Sequence, residues 1–174
     1  MSASLKYSLD ANIFIEAGRR YYAFDICPGF WASLVWHHQR DRLDSIDRVR
    51  DELLRGNDAL SEWASTRAPT GLFVTTSSQD ILDLYGQIIT WSQSQSSFQP
   101  QAIADFANSA DAWLVAYAKA RSRMLVTHEV HSPDARRRIP IPNVCSAFGV
   151  QRTDTFAMLR DLGVSLTWQP PASS

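Results

Sequence analysis

Residues Tyr7-Ser8-Leu9-Asp10-Ala11-Asn12-Ile13-Phe14-Ile15, YSLDANIFI, change their period in the middle. Leu5, Tyr7 and Leu9 alternate with polar neighbours, the pattern of a half-buried strand. After Asp10 the apolar positions Ile13, Phe14 and Ala17 fall at helical spacing, with Asn12 placed to cap the helix. Strand passes directly into helix at a carboxylate. An ionised carboxylate is costly to take out of water, so Asp10 implies a compensating partner nearby.

Further along, the same alternation of element types repeats. A helix is expected around Trp31, Leu34, Val35 and His38, after the breaker Pro28-Gly29. The short apolar patch Leu43–Ile46 precedes a helix with Val49 and Leu53 inward and Gly56 as its stop. Asn57 is placed to cap a short helix carrying Leu60 and Trp63, and Leu72-Phe73-Val74 is the next strand candidate. Ser77 or Ser78 then caps a helix with Ile81, Leu82, Tyr85, Ile88 and Ile89 inward, followed by a Ser/Gln-rich loop over 92–97. Apolar spacing over 103–121 predicts helix with an interruption near Ser109, and Met124–Thr127 reads as a buried strand. Pro140 and Pro142 confine the apolar run 139–144 to an edge or extended segment. Thr153 is expected to cap a helix through Phe156, Leu159 and Leu162, closed by Gly163. Val164–Trp168 is the last strand expected, and 170–174 a flexible tail. Strands separated by helices predict an α/β fold with a largely parallel sheet, whose working site lies beyond the carboxyl ends of the strands.

The 174 residues suit one domain, expected over 1–169, and 45% hydrophobic residues with a net charge of -1 fit a soluble globular chain. No apolar run approaches the roughly 20 residues of a spanning helix, and the amino terminus lacks a signal-peptide pattern, so no membrane association and a cytoplasmic location are expected. Cys27 and Cys145 have no zinc-type spacing and are expected to be reduced thiols.

Three further carboxylates join Asp10 as candidates. Asp111, in Ala110-Asp111-Ala112, has apolar helical neighbours Ala107, Leu114, Val115 and Ala118. Its spacing equally fits an ordinary first-turn acid behind a cap at Asn108 or Ser109. Glu52 lies between Arg48 and Arg55 at ion-pairing distance along a helix. Glu129 follows the strand at Thr127, where an acid is commonly just part of a loop. Asp105 and Asp134 are less distinguished. If Asp10, Glu52, Asp111 and Glu129 converge, they repel one another unless divalent cations neutralise them, and all-oxygen ligands suit Mg²⁺ or Mn²⁺. His128 and His131 do not have the HExxH zinc spacing and are expected to face solvent or pack.

In order and spacing these residues resemble the PIN-domain nucleases, which include VapC-like toxins of bacterial toxin-antitoxin pairs. Asp10 with Asn12 matches the first motif, Glu52-Leu53-Leu54 the second, and Ala110-Asp111-Ala112 running into Trp113-Leu114-Val115-Ala116 the third. Thr127-His128-Glu129 matches the fourth, with Glu for the usual Asp. The stretches YSLDANIFI, VTHEV and PNVCSAFGV also look like a bacterial PIN-like subfamily known as a domain of unknown function. The resemblance implies a three-layer α/β/α domain with a mainly parallel twisted sheet, and metal-dependent hydrolysis of RNA phosphodiesters. Asp10, Glu52, Asp111 and Glu129 would be the metal-holding and catalytic residues, with Asn12 and Thr127 orienting them. It also implies a cognate antitoxin and, as in many such toxins, a homodimer.

RNA needs local basic patches on a chain this near to neutral, and Arg136-Arg137-Arg138 and Arg19-Arg20 are the visible clusters. Both also fit solvated surface. Two other classes compete with the ribonuclease reading. One is a catalytically degenerate PIN module binding RNA or protein. The other is a phosphatase of the haloacid-dehalogenase type, whose second Asp is replaced here by Asn12.

Overall fold

The computed structural model describes residues 4–168. Its centre is β1 (Tyr7–Leu9), buried along its whole length. Four further strands, β2 (Leu43–Ile46), β3 (Phe73–Val74), β4 (Met124–Val126) and β5 (Arg152–Thr153), complete a sheet ordered β3-β2-β1-β4-β5. Every pairing is parallel, with Tyr7 opposite Leu43 on one side and opposite Met124 on the other. Nine α-helices flank it among the described residues, an α/β/α layering. A parallel sheet buried on both faces favours mostly apolar strands. Leu9, Leu43, Ile46, Leu125 and Val126 fit that preference.

The helices before the midpoint are α1 (Ala11–Glu16), α2 (Pro28–His38), α3 (Asp47–Leu54) and α4 (Ala59–Glu62). Short π-helical turns, Ala17–Tyr21 and Trp63–Arg67, extend α1 and α4. The later helices are α5 (Gln79–Ser94), α6 (Pro100–Asn108), α7 (Asp111–Ala120), α8 (Ile141–Phe148) and α9 (Thr155–Asp161). Helix α7 is almost wholly apolar because it packs across β2 and β4 and is covered by α5 and α8. Tyr85 of α5 stacks on Trp113 of α7 with ring centroids 3.8 Å apart. The Arg48 guanidinium lies 3.8 Å from the Trp113 ring centroid, a cation–π contact that draws it away from the ion pair expected with Glu52.

One charged network is buried in these layers. Asp44 of β2 accepts from the Tyr117 hydroxyl at 2.6 Å and pairs with Arg123 at 2.7 Å. Arg123 also reaches Asp41, which in turn binds Lys6. Burial pushes the Asp44 carboxyl up, and the Tyr117 and Arg123 contacts pull it back.

Several expectations are corrected. The run 139–144 is not an edge or extended segment: Pro140 caps α8 and Pro142 sits in its first turn. Proline is tolerated there because first-turn N–H groups lack helical partners anyway. Gly149, at φ +66, closes that helix in the left-handed region glycine favours. Val164–Trp168 is not a strand. The fifth strand is the short Arg152–Thr153, paired with β4, while the Val164 N–H turns back to the Leu159 carbonyl.

Caps also shift. Asp10 rather than Asn12 is the N-cap of α1. Asp58, in a reciprocal capping box with Ser61, replaces Asn57, and Asp154, accepting from Ala157 N–H at 2.8 Å, replaces Thr153. Helix α5 continues to Ser94, into the loop expected over 92–97, because the Ser92 hydroxyl satisfies itself on the Ile89 carbonyl. The tail at 170–174 lies outside the described residues. No helix among the described residues is long and apolar enough to cross a membrane. Both cysteines are free, Cys145 buried and Cys27 partly so.

Candidate active site

A parallel sheet aligns the carboxyl ends of its strands along one edge, and the candidate acids gather there. Asp10 follows β1, with its N–H on the Val126 carbonyl at 3.0 Å. Asp111 opens α7, whose chain runs back towards β4, so its first turn stands at the same edge. Its N–H donates to Ser109 Oγ at 3.2 Å, the interruption between α6 and α7 that the sequence places near Ser109. Glu52 comes from the second turn of α3, and Glu129 from the loop after β4.

Asp10 is only 2% exposed, and its Oδ2 accepts from the Thr127 hydroxyl at 3.0 Å. Burial raises its pKa to about 6; Thr127 opposes the rise, while the negative charges of Glu129 and Glu52 add to it. Asp111 is raised further, to about 7, by burial and then by Asp10, Glu129 and Glu52, with Arg138 opposing. No hydrogen bond reaches the Asp111 carboxylate among the described residues. Glu52, half-buried, is raised by burial against the pull of Arg55, and no ion pair holds it among the described residues. Asp10, Asp111 and Glu52 thus stand in one negative field, and none of the three is held in an ion pair among the described residues.

Glu129 differs from the others. One oxygen accepts from Arg138 and the other from Ile141 N–H, at 2.7 Å, at the start of α8. Its own N–H donates to Thr127 Oγ at 3.1 Å. Glu129 therefore ties the arginine loop and α8 to the end of β4. Asn143 pins the same loop through Ser132, donating to its carbonyl at 2.7 Å and accepting from its N–H at 3.0 Å. We expect Glu129→Gln to cost about 1 kcal/mol of stability and roughly 10-fold in activity, the scale of a lost orienting contact. A loss as deep as that of the Asp111 variant, measured alongside by denaturation and cleavage assays, would make Glu129 a direct ligand.

The loop's arginines edge two cavities. The first, of ≈ 730 Å³, is lined by Arg136, Arg137 and Arg138 together with Glu129, Asp134, His128, Glu16 and the exposed Asn12. The second, of ≈ 230 Å³, brings Arg137 and Arg138 beside Asp111, Glu129 and Asp105. Asn12 faces the larger cavity without a hydrogen bond to Asp10 among the described residues. Arg19, from the other basic pair, is held by Asp58 at 2.8 Å.

As the side chains stand, no three His, Cys, Asp or Glu groups among the described residues are close enough to enclose an ion. The donor chemistry nevertheless fits a hard divalent cation. Mg²⁺ commonly takes only one or two carboxylates and completes its shell with water and substrate phosphate. Asp10 and Asp111 are the two that would serve, each raised first by burial and further by negative neighbours that a cation would neutralise.

Residues 7–166 match the family described as Domain of unknown function (DUF4411). The chain belongs to that family. No curated protein matches it. The DUF4411 match spans every strand and helix just described, and Asp10, Glu52, Asp111 and Glu129 all fall within it.

One group in this DUF4411 chain escaped the sequence reading. His128 is exposed, yet both ring nitrogens have a partner: Nδ1 lies 2.6 Å from Glu16 Oε2, and Nε2 meets Thr155 Oγ at 2.7 Å. Three residues from α1, the β4 loop and α9 are thereby joined. Nothing in their spacing at 16, 128 and 155 signals this; only the position of His128 between Thr127 and Glu129 hints at a role.

Proposed function

We propose that this protein is a divalent-metal-dependent ribonuclease of PIN-like architecture. The observation that carries the reading is the pair Asp10, buried, and Asp111, partly buried, at the carboxyl edge of a parallel sheet, each raised first by burial and then by the neighbouring acids. Structural carboxylates normally meet a cationic partner, as Asp44 meets Arg123 in the same sheet. Asp10 and Asp111 have none of that kind among the described residues.

The chemistry that Mg²⁺ or Mn²⁺ would supply here is positive charge and activation of water towards a phosphodiester. Asp10 and Asp111 would hold the ion, with Thr127 fixing the Asp10 carboxylate through its hydroxyl. Glu52 would add negative field from α3. Arg137 and Arg138, edging the cavity with Asp111, would receive the substrate phosphates. Electrostatic attraction to this loop makes the expected binding salt-dependent.

Incubation of the protein with single-stranded and structured RNA, in Mg²⁺ or Mn²⁺ and in EDTA, tests the reading. Cleavage is expected with either metal, none in EDTA, and none from the Asp10→Ala/Asp111→Ala variant. Equal cleavage by that double variant would end the assignment. The engagement of both Glu129 oxygens by Arg138 and Ile141 favours a second reading, a module that binds RNA or protein without cutting. RNA binding in EDTA with no cleavage in either metal would select it. By the same resemblance the physiological role is that of a toxin held by an antitoxin, checked by growth arrest on expression and its relief by a co-expressed neighbouring gene product.

A further inference from the structure

The Glu16–His128–Thr155 chain forms a polar seam in the wall of a third cavity, of ≈ 450 Å³, between α1 and α9. Ile13, Ala17 and Tyr22 line its apolar side. Two aromatic rings on its rim, Tyr21 and Phe156, are 66% and 60% exposed. Large exposed aromatics bordering an apolar hollow mark a surface that binds something flat or apolar. Glu16 and His128 also line the ≈ 730 Å³ cavity that carries Glu129 and the three arginines. The two hollows therefore meet at one polar seam, apolar and aromatic on one side, basic on the other.

We propose that the cavity between α1 and α9 binds a nucleobase of single-stranded RNA, next to the nucleotide whose phosphate reaches the acidic edge. The inference rests on the ribonuclease reading for its choice of substrate. A nucleotide divides in the same way as the two cavities: a flat π-faced base suits Tyr21 and Phe156, and its phosphate suits Arg136–Arg138. The seam sets the base type. Glu16 uses Oε2 on His128, and Oε1 has no hydrogen-bond partner among the described residues. A lone carboxylate oxygen accepts from an exocyclic amino group, which adenine, cytosine and guanine carry. Uracil instead flanks its one N–H with two carbonyls, which the carboxylate repels. A purely aliphatic side chain from a protein partner would leave Oε1 unanswered.

The test uses metal-free protein, so that binding is read independently of cleavage. Fluorescence anisotropy with labelled A6, C6 and U6 oligoribonucleotides is expected to show A6 and C6 binding at least fivefold tighter than U6. Tyr21→Ala/Phe156→Ala, both exposed positions, should weaken A6 and C6 at least tenfold. Glu16→Gln, whose amide can donate to a uracil carbonyl, should erase or reverse the preference. Equal binding of the three oligomers, or unchanged affinity in the aromatic double variant, would overturn the proposal. So would loss of a protein partner from that variant with RNA affinity intact. Base-dependent binding without cleavage leaves the base site standing and removes the ribonuclease reading; cleavage with no dependence on Tyr21, Phe156 or Glu16 does the reverse.

Discussion

Asp111→Asn is expected to remove metal-dependent cleavage almost entirely and, in the absence of metal, to make the protein harder to unfold. Loss of one of the two carboxylates proposed to hold the metal should lower cleavage about a thousand-fold, equivalent to about 4 kcal/mol of lost transition-state stabilisation. The stability gain comes from the same charge. Folding raises Asp10 from its ordinary 3.8 to about 6 and Asp111 from 3.8 to about 7. A carboxyl raised on folding binds its proton more tightly in the native state. The penalty is therefore fully present above the folded pKa and gone below the unfolded one.

Metal-free wild type should accordingly gain stability, of the order of a few kcal/mol, as pH falls from about 8 to about 4. Asp111→Asn should flatten that slope and, at pH 8, unfold about 2 kcal/mol less readily. Millimolar Mg²⁺ or Mn²⁺ should stabilise wild type at pH 8 and leave the variant unchanged, since only a ligand that binds the native state shifts the equilibrium. Urea unfolding in EDTA and in metal, at several pH values, reads all three. A variant no more stable than wild type at pH 8 would mean that Asp111 is already relieved by another partner.

The second large effect is structural. Arg123→Ala leaves Asp44 buried with its cation removed, and breaking such a pair costs roughly 3–5 kcal/mol. For a chain of this size that lowers the melting temperature by about 10 °C or more. Arg123 is 11% exposed at its side chain and Asp44 3%, so water cannot readily substitute. Adding Asp44→Asn to Arg123→Ala should recover a large part of the loss, because the stranded charge goes with it. A cost below 1 kcal/mol for Arg123→Ala alone, measured by urea unfolding, would show that Tyr117 and solvent suffice to hold Asp44.

The change of period at Asp10 was enough to place β1, α1 and the strand-end acid between them, because a buried strand and an amphipathic helix leave different apolar spacings. Asp111 was visible for a related reason: a carboxylate with Leu114, Val115 and Ala118 at helical spacing conflicts with its surroundings. Helix α8 was hidden by its prolines, whose effect on a helix depends on whether they sit in the first turn or later. Strand β5 was hidden by being two residues long, too short for any alternation, while the apolar 164–168 run copied a strand without having a partner to pair with. The Glu16–His128–Thr155 chain needed three distant elements to be brought together, which only the assembled sheet specifies.

The strand order has a practical consequence. β1, β2 and β3 all precede the connection between α5 and α6, and β4 and β5 follow it, so the sheet divides at the single seam between β1 and β4. Asp10 and Glu52 lie on one side of that division, Asp111 and Glu129 on the other, and the Thr127–Asp10 hydrogen bond crosses it. A chain cut between Ser94 and Pro100 would yield two pieces, each with half of the acids and one unpaired strand edge facing its complement. Separately expressed and mixed, they form the basis for a split reporter in which neither fragment carries both Asp10 and Asp111 and the assembled sheet brings the two together.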